Sequence, residues 1–186
     1  AHLISTPRRG PTIEYLLTTL LCQPAPPRLV LLSATLGDTE RARIWLNPCD
    51  VIQQVERTPP LEKEVWQLEE GEDLNAVVLD AVQQILADPP NRLLIFVYQT
   101  KSAERLARLI QQELGKQRNS NVALAYHAKL SPTQREQVRH SFTTGHCQCV
   151  VATTALGLGV NLPATHVLVR DNTFPGAGRL NVSELL

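Results

Sequence analysis

Several things are missing from this chain, and each absence removes a class of function. Neither sign of charge is in excess: 18 Lys and Arg stand against 18 Asp and Glu in 186 residues. Net charge therefore gives no argument for nucleic acid, and any basic surface has to be local. No stretch approaches the roughly 18 consecutive apolar residues of a membrane helix, and no charged-then-apolar leader opens the chain. A cytoplasmic protein without a membrane partner is the expectation. The four cysteines, Cys22, Cys49, Cys147 and Cys149, form no CxxC pair, and the CxC at 147 and 149 has no His or Cys at a zinc-like spacing. They read as reduced strand or core thiols, with no metal site. The phosphate-loop pattern G-x-x-x-x-G-K-[ST] occurs nowhere, so the standard device for holding a nucleoside triphosphate is lacking. Methionine is absent too, and the chain opens on Ala1, which leads us to expect a segment of a longer protein.

What is present alternates between two periodicities. TIEYLLTTLL (12–21) reads as a helix, the proline-rich QPAPP as a connector, RLVLLSA (28–34) as an apolar strand, and DTERARIWL as a short helix with Asp38 at its N-cap. VIQQVE and EVWQL are strand candidates on either side of Pro59 and Pro60. NAVVLDAVQQILAD predicts a helix and RLLIFVY a strand. A helix opened by Ser102 follows, with Ala103, Leu106, Ala107, Ile110 and Leu114 on one face. VALAYH, CVVAT and HVLVR predict three more strands. Between the first two lies a helix with Ser131 at the N-cap, Pro132 at its first position and Gln134 completing a capping box. Short strands that are apolar throughout, alternating with helices, predict a doubly wound α/β fold: a parallel sheet covered on both faces. Ligands then gather at the carboxyl ends of the strands, which directs attention to SATLGD, YQTKS, YHAKLS, ATTALGLG and RDN.

The richest of these is ATTALGLGVNLPA (152–164). Threonine hydroxyls and glycine-exposed N–H groups at a strand end can cradle phosphate oxygens. They can equally make a tight turn at Gly157 and Gly159 with threonine helix caps. A dinucleotide fingerprint does not fit: Leu162 occupies the third glycine position, Pro163 would interrupt the helix, and Asp171 is too near to be the ribose-binding acid.

Taken in order, the loop segments resemble the second half of a superfamily 2 DEAH/DExH-box helicase, of the large DExH type related to bacterial and archaeal DNA repair helicases. LLSATLGD resembles motif III, LIFVYQTKSAERLA motif IV, YHAKLSPTQREQVRHSFTTG the segment often written HHAGL, and VVATTALGLGVNLPATHVLVRD motif V. Gly157 stands where alanine is common, and Tyr126 and Lys129 replace the His and Gly of HHAGL. The opening AH resembles the last two residues of a DEAH box, and RLNVSELL the lead-in to motif VI.

The resemblance implies RecA-like parallel sheets with helices on both faces. Residues 1–55 would be the end of a first lobe, 56–64 a linker and 65–186 most of a second lobe. The parent protein would couple ATP hydrolysis, with Mg²⁺, to movement along single-stranded DNA or RNA; the fragment alone would bind neither ATP nor metal, and its missing motor parts would lie on the same parent chain. Thr100 and Lys101 of motif IV, Thr153 and Thr154 of motif V, and His127 would meet the nucleic-acid strand. Gly159 and Asn161 would approach ATP. Ser33 and Thr35 would couple the nucleotide state to the strand through His2. The alternative is a stand-alone, catalytically inactive nucleic-acid-binding or regulatory module. Phosphoryl transfer in this class depends on a phosphate loop, metal-holding carboxylates and an arginine finger, the last worth about 10³–10⁵ in rate. The chain by itself is therefore expected to show no ATPase turnover. Hydrolysis above that of a Thr153→Ala control, in protein freed of contaminating ATPases, would contradict this.

Overall fold

The computed structural model describes residues 10–32, 39–52, 60–118, 121–153, 162–171, 173–174 and 178–179. The chain divides into two compact units between Lys63 and Glu64. In the first, α1 (Gly10–Leu21) buries Leu17 and leaves Tyr15 and Leu16 exposed, and α2 (Thr39–Trp45) is a short helix. Residues 28–32 do not form the expected strand, and Val30 and Leu32 are exposed. The same holds for residues 51–52 and 64–68, with Ile52 and Val65 almost fully exposed. A β-prone run becomes a strand only when a neighbour completes its ladder, and no described strand pairs with these segments. Asp38, Ser33 and Ala34 lie outside the described residues.

From residue 74 onward the pattern and the structure agree closely. α3 (Leu74–Ile85) starts at Asp73, whose carboxylate accepts the Asn75 N–H at 3.0 Å. β1 (Leu93–Phe96), α4 (Thr100–Arg118), β2 (Ala123–Tyr126), α5 (Pro132–Thr144), β3 (Cys149–Ala152) and β4 (His166–Val169) follow. A two-residue antiparallel pair, β5 (Thr173–Phe174) with β6 (Gly178–Arg179), closes the described chain. Ser131 caps α5 in a reciprocal box with Gln134, as its local spacing requires. α4 begins two residues before the expected Ser102: Ala103 N–H donates to the Gln99 carbonyl at 2.9 Å, so the cap is Gln99. In the turn just before it, the Tyr98 N–H donates to the Asp171 carboxylate at 2.8 Å.

The four longer strands are parallel in the order β2-β3-β1-β4. From β1 the chain crosses two places to β2, then returns to β3. Right-handed crossovers in opposite directions put α4 and α5 on opposite faces. Side chains sort accordingly. Leu93, Ile95, Cys149 and Val151 pack with Val78 and Val82 of α3 and with Ala103, Leu106 and Ile110 of α4. Leu94, Val150 and Ala152 pack with Val138 and Phe142 of α5. β3, flanked by strands and covered on both sides, is buried throughout.

The amino end of this sheet is stapled by Arg92. Its guanidinium donates to the Phe142 and Thr143 carbonyls, both at 2.7 Å, at the end of α5, while its backbone N–H donates to Thr165 Oγ1 at 2.8 Å. A cation at a helix C-terminus also opposes the negative end of the helix dipole. Gly145 ends α5 at φ +83°, and a Cβ there would stand 3.1 Å from the Arg92 Nη2. Arg92→Ala should lower stability by about 2 kcal/mol through two lost charge-assisted hydrogen bonds. Gly145→Ala should cost about 1 kcal/mol through left-handed backbone strain. Urea unfolding of the pair should give less than the sum, since both disturb one contact; strict additivity would refute the shared staple.

Both CxC thiols are core groups. Cys147 Sγ donates to the Cys149 carbonyl at 3.0 Å. Burial pushes the Cys147 thiol up to about 11 and that of Cys149 well above its ordinary value. The folded chain thus holds these protons more tightly than the unfolded one. For Cys147 the stabilising contribution is intact below the ordinary thiol value of 9.0 and is lost as pH rises through about 11. At pH 8 iodoacetamide should modify exposed Cys22 readily and reach Cys147 and Cys149 only on unfolding. Fast modification of all three in the folded state would be incompatible with this core.

Candidate functional site

The ladder of the sheet continues one residue beyond its strands. Val97 N–H donates to the Ala152 carbonyl at 2.9 Å, Thr153 N–H to Tyr126 at 3.2 Å, and Arg170 N–H to Phe96 at 3.0 Å. His127, Thr153, Val97 and Arg170 are therefore set in one row across the carboxyl end of the sheet, in strand order. Alternation fixes which way they face. Tyr126 and Ala152 belong to the α5 side, so His127 and Thr153, one residue on, turn to the α4 side.

That side is where α4 begins. Thr100 is its first residue and half-buried, Lys101 is exposed, and the first turn brings its N–H groups and the positive end of the helix dipole to the same end of the sheet. Glu104, one turn in, reaches His127: Oε1 lies 3.2 Å from Nε2. The approach is close enough for a charge interaction but poorly angled, and both ring nitrogens of His127 are buried without a hydrogen bond. The ring is 2% exposed and Thr153 8%. A buried imidazole with unused hydrogen-bonding capacity is costly in a purely structural role. It suits a site that a polar ligand completes.

At the other end of the row Asp171 ties β4 to the β1–α4 turn. Besides the Tyr98 N–H it accepts from Arg170, with Nε to Oδ1 at 2.9 Å and Nη2 to Oδ2 at 3.2 Å.

Of the residues singled out from sequence, Thr100, Lys101, His127 and Thr153 come together at this end of the sheet. His2, Ser33, Thr35, Thr154, Gly159 and Asn161 lie outside the described residues. Glu104 and Asp171 in its tethering role are new. The only sequence signal for Asp171 was its place at a strand's carboxyl end; Glu104 had none, since its partner is 23 residues away in a different element. Among the described residues no group of three or more His, Cys, Asp or Glu could hold a metal ion. A shallow groove of about 500 Å³ beside Leu124, Leu130 and Val138 lies on the α5 side, with no titratable group in its lining, and is separate from this site.

The helicase conserved C-terminal domain family matches residues 77–181. The ATP-dependent DNA helicase Hel308 of Thermoplasma volcanium is 28% identical over 195 residues, covering 92% of this chain and 29% of that protein. Hel308 of Pyrococcus horikoshii is 29% identical, covering 91% and 28%. The chain thus spans less than a third of the curated relatives it matches. Among solved structures, S. cerevisiae Dbp5 bound to RNA and ADP BeF3 superposes with a TM-score of 0.61 at 18% identity, covering 91% of this chain and 42% of that one. The DUF1998 helicase MrfA bound to DNA gives 0.52 at 20% identity, covering 61% and 14%. At such identities the structural likeness speaks to the fold, which is RecA-like: a parallel sheet with helices on both faces.

Proposed function

Because the chain belongs to the helicase conserved C-terminal domain family, we propose that it supplies the second motor lobe of an ATP-dependent nucleic-acid helicase and grips a single strand by its phosphates. The observation that carries this is the row at the carboxyl end of the sheet: buried His127 and Thr153 beside the first turn of α4, with Lys101 exposed above it. Phosphate needs donors and positive potential, without base recognition. The α4 N-terminus provides dipole and N–H groups, Thr100 and Thr153 provide hydroxyls, and Lys101 provides a mobile cation. His127 can donate from whichever ring nitrogen carries its proton, with the Glu104 carboxylate 3.2 Å from Nε2.

The remaining roles follow from the same reading. Thr154 would join the strand contacts, and Gly159 and Asn161 would approach ATP. His2, Ser33 and Thr35 would couple the two sites, with residues 1–55 belonging to the first lobe and 56–64 to a linker. ATP and Mg²⁺ would be held chiefly by that first lobe. DNA is the first substrate to test, since the Hel308 relatives carry the name of DNA helicases.

In the full-length protein, Thr153→Ala should weaken single-strand binding about tenfold, the loss of one hydrogen bond to a charged group. Lys101→Ala should flatten the slope of log K against log salt by about 0.7, one phosphate neutralised on a single strand. Fluorescence anisotropy with labelled oligo-dT, at several salt concentrations, measures both. Unchanged affinity and slope in correctly folded variants would overturn the reading.

A further inference from the structure

Asp171 occupies an unusual position for a carboxylate beside a phosphate-binding end. A free negative charge there would repel the strand. It is instead clamped by its own neighbour: Arg170 meets both carboxylate oxygens, at 2.9 and 3.2 Å, and the two side chains are only 16% and 19% exposed. The pair is internally neutralised, and Arg170 is occupied rather than offered to a ligand. What remains of the carboxylate is directed at one group, the Tyr98 N–H at 2.8 Å. Two residues further on is Thr100, then Lys101, at the head of α4. With only Gln99 between the tether and the helix, fixing the Tyr98 amide constrains the direction in which that first turn is presented.

We propose that Asp171, clamped by Arg170, is a positioning residue: by holding the Tyr98 amide it sets the placement of Thr100 and Lys101 against a nucleic-acid phosphate. The inference rests on the nucleic-acid reading above. It differs from a general stabilising role in one respect. A positioning residue acts through others, so its effect disappears when those others are gone.

The test is a double-mutant cycle in the full-length protein, with oligo-dT affinity and hydrogen exchange at Tyr98 as readouts. Asp171→Ala should speed exchange at Tyr98 and raise Kd about fivefold, part of the worth of a hydrogen bond to a charged group. In a Thr100→Ala/Lys101→Ala background the same change should raise Kd less than about twofold. Asp171→Asn keeps an acceptor for the Tyr98 N–H and should retain most of the affinity. Should Asp171→Ala not fold, Arg170→Gln, which frees the carboxylate to swing, decides against Asp171→Asn. Faster Tyr98 exchange and weaker binding in Arg170→Gln support the proposal, and the reverse order overturns it. Unchanged Tyr98 exchange in Asp171→Ala, or an undiminished loss in the double-variant background, overturns the positioning role alone. If Thr100→Ala/Lys101→Ala itself binds as tightly as the parent, the nucleic-acid reading falls and the proposal with it.

Discussion

Everything in the second unit follows from the burial of β3. This strand has a parallel neighbour on each side and a helical layer on each face, so none of its four side chains has access to water. CVVA can occupy that position because every residue is small or β-branched and apolar, and because the parallel ladder satisfies its backbone. Once β3 is central, the helices above and below must each bring an apolar stripe. The polar residues of the connecting loops are pushed to the two ends of the sheet, where the backbone leaves the ladder. One end is closed by Arg92; the other collects His127, Thr153 and the head of α4.

This explains which features could be read from sequence. Strands 93–96, 123–126 and 149–152 were legible because a mostly buried run is apolar nearly throughout, and 166–169, an edge strand with His166 and Val167 exposed, because it is rich in β-branched and apolar residues. The Ser131 and Gln134 box was legible because all its partners lie within one turn. The opening of α4 was less legible: Ser102 points to a start there, yet the helix begins at Thr100, directly after a turn held by a long-range bond from the Tyr98 N–H to Asp171. RLVLLSA illustrates the same limit. Its composition is that of a buried strand, but strand formation is decided by neighbours, and residues 28–32 have no ladder among the described strands.

The site was half legible. Thr100, Lys101, His127 and Thr153 could be named because a doubly wound fold sends ligands to strand ends and because motif-like segments lay there in order. The proximity of Glu104 to His127 could not be foreseen, since it depends on α4 running back across the sheet at one particular height. Nor could the burial of the imidazole, which follows from its turning toward α4 instead of away from it. Residue types were readable and orientations were not, because a one-residue change in where a strand stops moves a side chain to the other face.

Arg92 has a consequence at the level of mechanics. It joins β1, the carboxyl end of α5 and, through Thr165, the approach to β4. A tug on β4 is therefore shared at once with a helix on one face and with the middle of the sheet, without first bending the strand.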